Sequence, residues 1–126
     1  MKTAKELYGD ATYWNNYQPM LNEFGKREIQ VDTDDYQGDS FVLYRSGERY
    51  GYLNFGWGSC SGCDALQACD SIEEVQELMD KLYNNILWFP SFECMMDYFS
   101  DEETLRMKWE WHSEEFQSFR KQVLEL

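Results

Sequence analysis

Apolar positions recur at helical spacing between Asp10 and Phe24, where Tyr13, Trp14, Tyr17, Met20, Leu21 and Phe24 mark one face. Gly25 follows as a C-cap, and Pro19 inside the pattern predicts a kink or a division into two short helices. This face is expected to be core. From Glu28 the period falls to two. Ile29, Val31 and Thr33 alternate with polar residues, and the runs from Ser40 to Arg45 and from Arg49 to Trp57 are rich in β-formers. Asp34-Asp35-Tyr36-Gln37-Gly38-Asp39 separates the first two runs as a loop, and Ser46-Gly47-Glu48 separates the second and third as a hairpin turn. A three-strand antiparallel meander follows.

Helical spacing returns at Ser71, which with Glu74 forms a capping box ahead of Ile72, Val75, Leu78, Met79, Leu82, Tyr83 and Ile86. This helix is expected to run through Leu87-Trp88-Phe89 and stop before Pro90. Ser91 caps a shorter helix with Phe92, Met95, Met96 and Phe99 on its core face. Leu105, Met107, Trp109 and Trp111 then alternate with Arg106, Lys108, Glu110 and His112, which predicts a strand with both tryptophans in the core and His112 facing solvent. Ser113 opens a last helix carrying Phe116, Phe119, Val123 and Leu126. The expected fold is α+β: a single two-layer domain over residues 1–126, with an antiparallel sheet of about four strands (the meander and the late strand) packed with helices.

The length suits one domain, and 22 aromatic residues among 126 supply a core that argues against global disorder. No apolar run is long enough to span a bilayer, and Met1-Lys2-Thr3-Ala4-Lys5-Glu6 lacks the apolar stretch of a signal peptide, so a cytoplasmic setting is expected. Charge changes the picture more. The formal net charge is −13. Direct binding to nucleic acid or to an anionic membrane is therefore not expected. Cations and basic protein surfaces are the expected partners. The excess is uneven: residues 70–103 hold ten acids (Asp70, Glu73, Glu74, Glu77, Asp80, Glu93, Asp97, Asp101, Glu102 and Glu103) against Lys81 alone. Large apolar residues interleave them, so the charge is expected on a folded surface rather than on a tail. Such a surface aids solubility; fixed in space, it is also a candidate binding surface. In the loop after the first strand, Asp34, Asp35 and Asp39 could bind a hard cation, although they lack EF-hand spacing.

Candidate chemistry is concentrated in Gly58-Ser59-Cys60-Ser61-Gly62-Cys63-Asp64, with Cys69 just beyond. Cys60-x-x-Cys63 has the spacing of a half zinc site, and Cys69, Cys94 and the single histidine, His112, are the candidates to complete it. Thiol chemistry is a second reading, since the pair lies between a strand and a helical segment, where amide dipoles lower a thiol pKa. Gly62 in place of proline departs from the thioredoxin pattern, and Asp64 and the general acidity oppose a low pKa. The third reading is structural: glycines for tight turns, Asp64 and the serines as caps, and small thiols that pack. No catalytic set is assigned.

The run from Tyr50-Gly51-Tyr52-Leu53 through Gly58-Ser59-Cys60-Ser61-Gly62-Cys63-Asp64-Ala65-Leu66 resembles a group of small uncharacterised proteins encoded mainly by bacteriophages and prophages. The likeness spans roughly residues 36–90. It implies a phage accessory protein acting in a bacterial cytoplasm, in company that includes inhibitors of host enzymes and defence systems, anti-CRISPR proteins among them. The leading functional expectation is a non-enzymatic inhibitor whose acidic surface (Asp70, Glu73, Glu74, Glu77, Asp80, Asp97, Asp101, Glu102, Glu103) occupies a basic groove on a host nucleic-acid-binding or defence protein. The alternative is a zinc- or thiol-dependent protein centred on Cys60 and Cys63.

Overall fold

The computed structural model describes residues 1–59 and 62–126. The meander forms as expected from β1 (Lys26–Asp32), β2 (Gly38–Ser46) and β3 (Arg49–Trp57). Gly47 in the β2–β3 turn has φ 64°, a conformation that a two-residue hairpin demands and that glycine adopts without strain. A fourth antiparallel strand, β4 (Leu87–Phe89), pairs with β3 through Tyr50–Phe89 and Tyr52–Leu87, giving the sheet order β1-β2-β3-β4. The α+β class and the four-stranded antiparallel sheet therefore agree with the sequence pattern.

Alternation along β2 and β3 sends Val42, Tyr44, Leu53 and Phe55 to one face and Phe41, Leu43, Tyr50 and Tyr52 to the other. Both faces are apolar, so both must be covered. The first receives α1 (Ala4–Tyr8), α2 (Gln18–Leu21) and α3 (Ile72–Asn84). The second receives α4 (Phe92–Ser100), α5 (Glu102–Leu105), a 3-10 turn at Trp109–His112 and α6 (Glu114–Leu124). Helices thus sandwich the sheet, where one helical layer was expected.

On the first face, Tyr44 donates its buried hydroxyl to the Leu21 carbonyl at 2.9 Å, and the Ala4 amide donates to Gln76 Oε1 at 2.7 Å, joining α1 to α3. On the second, Tyr52 stacks on Phe119 at 5.5 Å and meets Phe99 edge-on at 5.3 Å. Such ring pairs add about 0.5–1.5 kcal/mol each beyond the area they bury.

The sequence pattern misplaced three elements. Residues 105–111 are not a strand; α5 and the 3-10 turn occupy them. Asp101 caps α5 by accepting from the Thr104 amide, and Glu102 and Glu103 favour its first turn. Trp109 is 56% exposed rather than core, while Trp111 is half-buried and His112 exposed. Leu87-Trp88-Phe89 leaves the helix and becomes the fourth strand in place of the late one. The periodic stretch from Asp10 to Phe24 is mostly irregular chain, helical only in α2, where Pro19 sits in the first turn and costs no hydrogen bond. Gly25 does not cap that helix; Asn22 does.

Candidate functional site

The turn after β3 is organised by Asp64, which is only 3% exposed. Its Oδ1 accepts from Tyr17 Oη at 2.8 Å and from the Gly58 amide at 3.2 Å, and its Oδ2 accepts from the Gln67 amide at 3.0 Å. Three donors stabilise a carboxylate that would otherwise be too costly to bury. Tyr17 Oη in turn accepts from the Leu66 amide at 3.3 Å. Burial first, and then the hydrogen bond and charge of Asp64, push the Tyr17 pKa well above the ordinary phenol value. Asp64 therefore acts as the cap read from the sequence. Gly58 has a different reason to be glycine: its φ is not left-handed, but a Cβ there would lie 2.5 Å from the Cys63 carbonyl oxygen.

Beside this turn, where β1 and β3 end and β2 begins, lies a groove of about 410 Å³. Tyr17, Phe55 and Trp57 are its aromatic lining residues, and Asp32, Asp34, Asp35 and Asp64 line it as well. A hydrogen-bond chain fixes one side of it. Trp57 Nε1 donates to Ser40 Oγ at 3.0 Å, and Ser40 Oγ donates to Asp32 Oδ1 at 2.5 Å. Gln30 Nε2 also donates to Asp32 at 3.0 Å, and Arg27 donates to Gln30 Oε1 at 2.7 Å and to Gln18 and Asn22. The sequence pointed to Asp34 and Asp35, together with Asp39, as a loop cluster and to Asp64 as a cap. It did not reveal the groove, because the pairing of Asp32 with Ser40 is a matter of strand register. Asp39 does not line it.

The ten acids of residues 70–103 are all exposed, as the interleaved pattern required. The fold divides them into two groups. Asp70, Glu73, Glu74, Glu77 and Asp80 lie on or beside α3, over the first face of the sheet. Glu93, Asp97, Asp101, Glu102 and Glu103 lie on α4 and α5, over the second. In the second group Glu102 meets Arg106 at 3.2 Å and Arg120 at 3.5 Å. In the α3 group no ion pair forms among the described residues, even between Glu77 and Lys81 one turn apart.

Among the described residues the metal candidates are not brought together. Cys60 lies outside the described residues, Cys63 and Cys69 flank Asp64, and Cys94 and His112 belong to the helical layer on the second face. Among the described residues no trio of His, Cys, Asp or Glu side chains is placed to hold a metal ion. Cys69 donates its thiol to the Ala65 carbonyl at 3.3 Å. Burial, followed by the charges of Glu74, Asp64, Asp70 and Glu77, raises its pKa, the direction opposite to that of a nucleophilic cysteine. Compared with protein-family profiles, curated proteins and solved structures, the chain matches none.

Proposed function

We propose that this chain is a non-enzymatic binding protein of phage type, which uses the acidic face of α3 to occupy a basic, phosphate-binding groove on a host nucleic-acid-binding or defence protein. The observation that carries this reading is the unpaired row of carboxylates on α3: Glu73, Glu74, Glu77 and Asp80 are exposed and free of ion pairs among the described residues. A helix rises about 1.5 Å per residue, so the row carries roughly one charge per 3 Å, close to the roughly 3.4 Å per charge of one DNA strand. The hydrophobic face of α3 (Val75, Met79, Leu82) is buried, which holds that spacing rigidly. Lys and Arg that normally grip phosphates can pair with such a row, and the pairing displaces nucleic acid.

The test is capture from bacterial lysate at about 50 mM and about 500 mM salt, followed by competition between the captured protein's own nucleic acid and this chain. The wild-type protein is expected to retain a basic partner at low salt only and to displace its nucleic acid. Glu73→Lys, Glu77→Lys and Asp80→Lys together are expected to weaken that binding at least about tenfold with the fold intact by circular dichroism, since all three side chains are exposed. Equal binding by the reversed protein, or binding indifferent to salt, would discard the proposal.

A further inference from the structure

We infer that the unpaired stretch of β3 beside α3 is a docking slot for the carboxyl-terminal strand of another protein, which joins the sheet antiparallel to β3. β3 pairs with β2 along its whole length but with β4 only from Tyr50 to Tyr52. The two-residue turn at Gly47 and Glu48 makes Ser46 and Arg49 a hydrogen-bonded pair, so odd-numbered residues of β3 bond β2 and even-numbered ones point away from it. Tyr50 and Tyr52 are met on that side by Phe89 and Leu87. Gly58, just past the strand, has its amide and carbonyl taken by the side chains of Asp64 and Gln67. Between these satisfied ends, the backbone N–H and C=O groups of Asn54 and Gly56 have no partner among the described residues. The sheet's other edge, β1, is guarded by Lys26, Arg27 and Glu28 and by a bulge between Arg27 and Ile29, devices that discourage strand addition. The stretch from Leu53 to Trp57 carries no charge, proline or bulge.

The open edge borders a cavity of about 320 Å³, and its lining says what kind of strand fits. Phe55, Leu78 and Leu82 give it an apolar side between sheet and helix. In an added strand the residue opposite Phe55 points to that same face, so an aliphatic side chain belongs there. α3 turns into β4 through Asn85 and Ile86, which closes the slot beyond Asn54. The positions opposite Asn54 to Trp57 therefore hold about four residues at about 3.3 Å each. A strand entering from the Trp57 end finishes at Asn54, and Asn85, with Lys81 one turn before it, lines the closed end. Lys81 is the single base of residues 70–103 and forms no ion pair among the described residues. A terminal carboxylate complements this cation, whereas the opposite strand direction would bring a terminal ammonium to it. Backbone pairing thus supplies the affinity, and Lys81 selects the direction and the chain end.

The experiment is titration of the purified chain with the peptide acetyl-Thr-Val-Thr-Val-Thr as its free acid, read by backbone amide resonances. Saturable shifts are expected at Asn54, Phe55 and Gly56 and along α3 at Leu78, Lys81 and Leu82. The same peptide as its carboxyl-terminal amide is expected to bind about tenfold more weakly. Lys81→Gln, at an exposed position, is expected to remove that difference with the fold intact. N-methylation of the peptide's third residue, whose N–H faces β3, is expected to abolish binding; N-methylation of the fourth, whose N–H faces away, is expected to be tolerated. The chain carrying Glu73→Lys, Glu77→Lys and Asp80→Lys is expected to bind the peptide at least as tightly as wild type, so this site and the acidic row stand or fall separately. Absence of saturable shifts, equal binding of acid and amide by the wild-type chain, or equal effects of the two N-methyl groups would overturn the inference.

Discussion

At the scale of single residues, the turn after β3 depends on two positions that act in different ways. Asp64 collects the amides of Gly58 and Gln67 and the hydroxyl of Tyr17. Gly58 leaves room for Cys63 to lie against it. The atoms that a Cβ at Gly58 would strike are the Cys63 carbonyl oxygen and carbon, at 2.5 and 2.8 Å, and backbone cannot rotate aside as a side chain can. Gly58→Ala is therefore expected to cost about 2 kcal/mol or more, read as a lower urea midpoint with an unchanged m-value. An unshifted midpoint would mean that the turn is not held by this contact. Asp64 was legible in the sequence because a short acid closing a turn rich in glycine and serine is a local cap signal. The reason for Gly58 was not, because the crowding comes from a residue five places on, across a reversal of the chain.

At the scale of elements, a serine N-cap together with helical periodicity correctly marked the starts of α3, α4 and α6. Ser71, Ser91 and Ser113 each accept the backbone amide expected of them, from Glu74, Cys94 and Phe116. Where the two signals disagreed, the caps prevailed. Residues 105–111 alternate apolar and polar, yet the Asp101 cap starts a helical turn, and the side chains then fall on neither strand face: Leu105 is buried, whereas Met107 is 87% exposed. This contrast is measurable. Leu105→Ala is expected to cost about 2–4 kcal/mol, and Met107→Lys to stay within about 0.5 kcal/mol of wild type. A strand would make the two positions equivalent, with both substitutions severe. Leu87-Trp88-Phe89 shows the limit of the method from the other side, because three apolar residues after a helix carry no sign of their own, and only the free edge of β3 makes them a strand.

At the scale of the whole molecule, the charge of −13 is distributed around a sandwich, with acids over both helical layers and few cations to offset them. Self-repulsion of that kind is screened over about 8–10 Å at moderate ionic strength. Added sodium chloride is thus expected to raise the melting temperature by a few degrees, on the order of 1 kcal/mol; a flat or falling curve would mean that the acids do not repel across the surface. The charge was legible as a total and as exposed positions, but its division between two faces was not, since that depends on which helix takes which side of the sheet. That division also has a timetable. Phe41, Leu43 and Tyr52 are made before Phe116 and Phe119, which cover them. At roughly 5–20 residues per second, the second face of the sheet waits on the order of 4–15 s on the ribosome with its aromatic rings uncovered. A stalled or truncated chain would stay in that state, with one half of its core complete and the other open to any sticky neighbour.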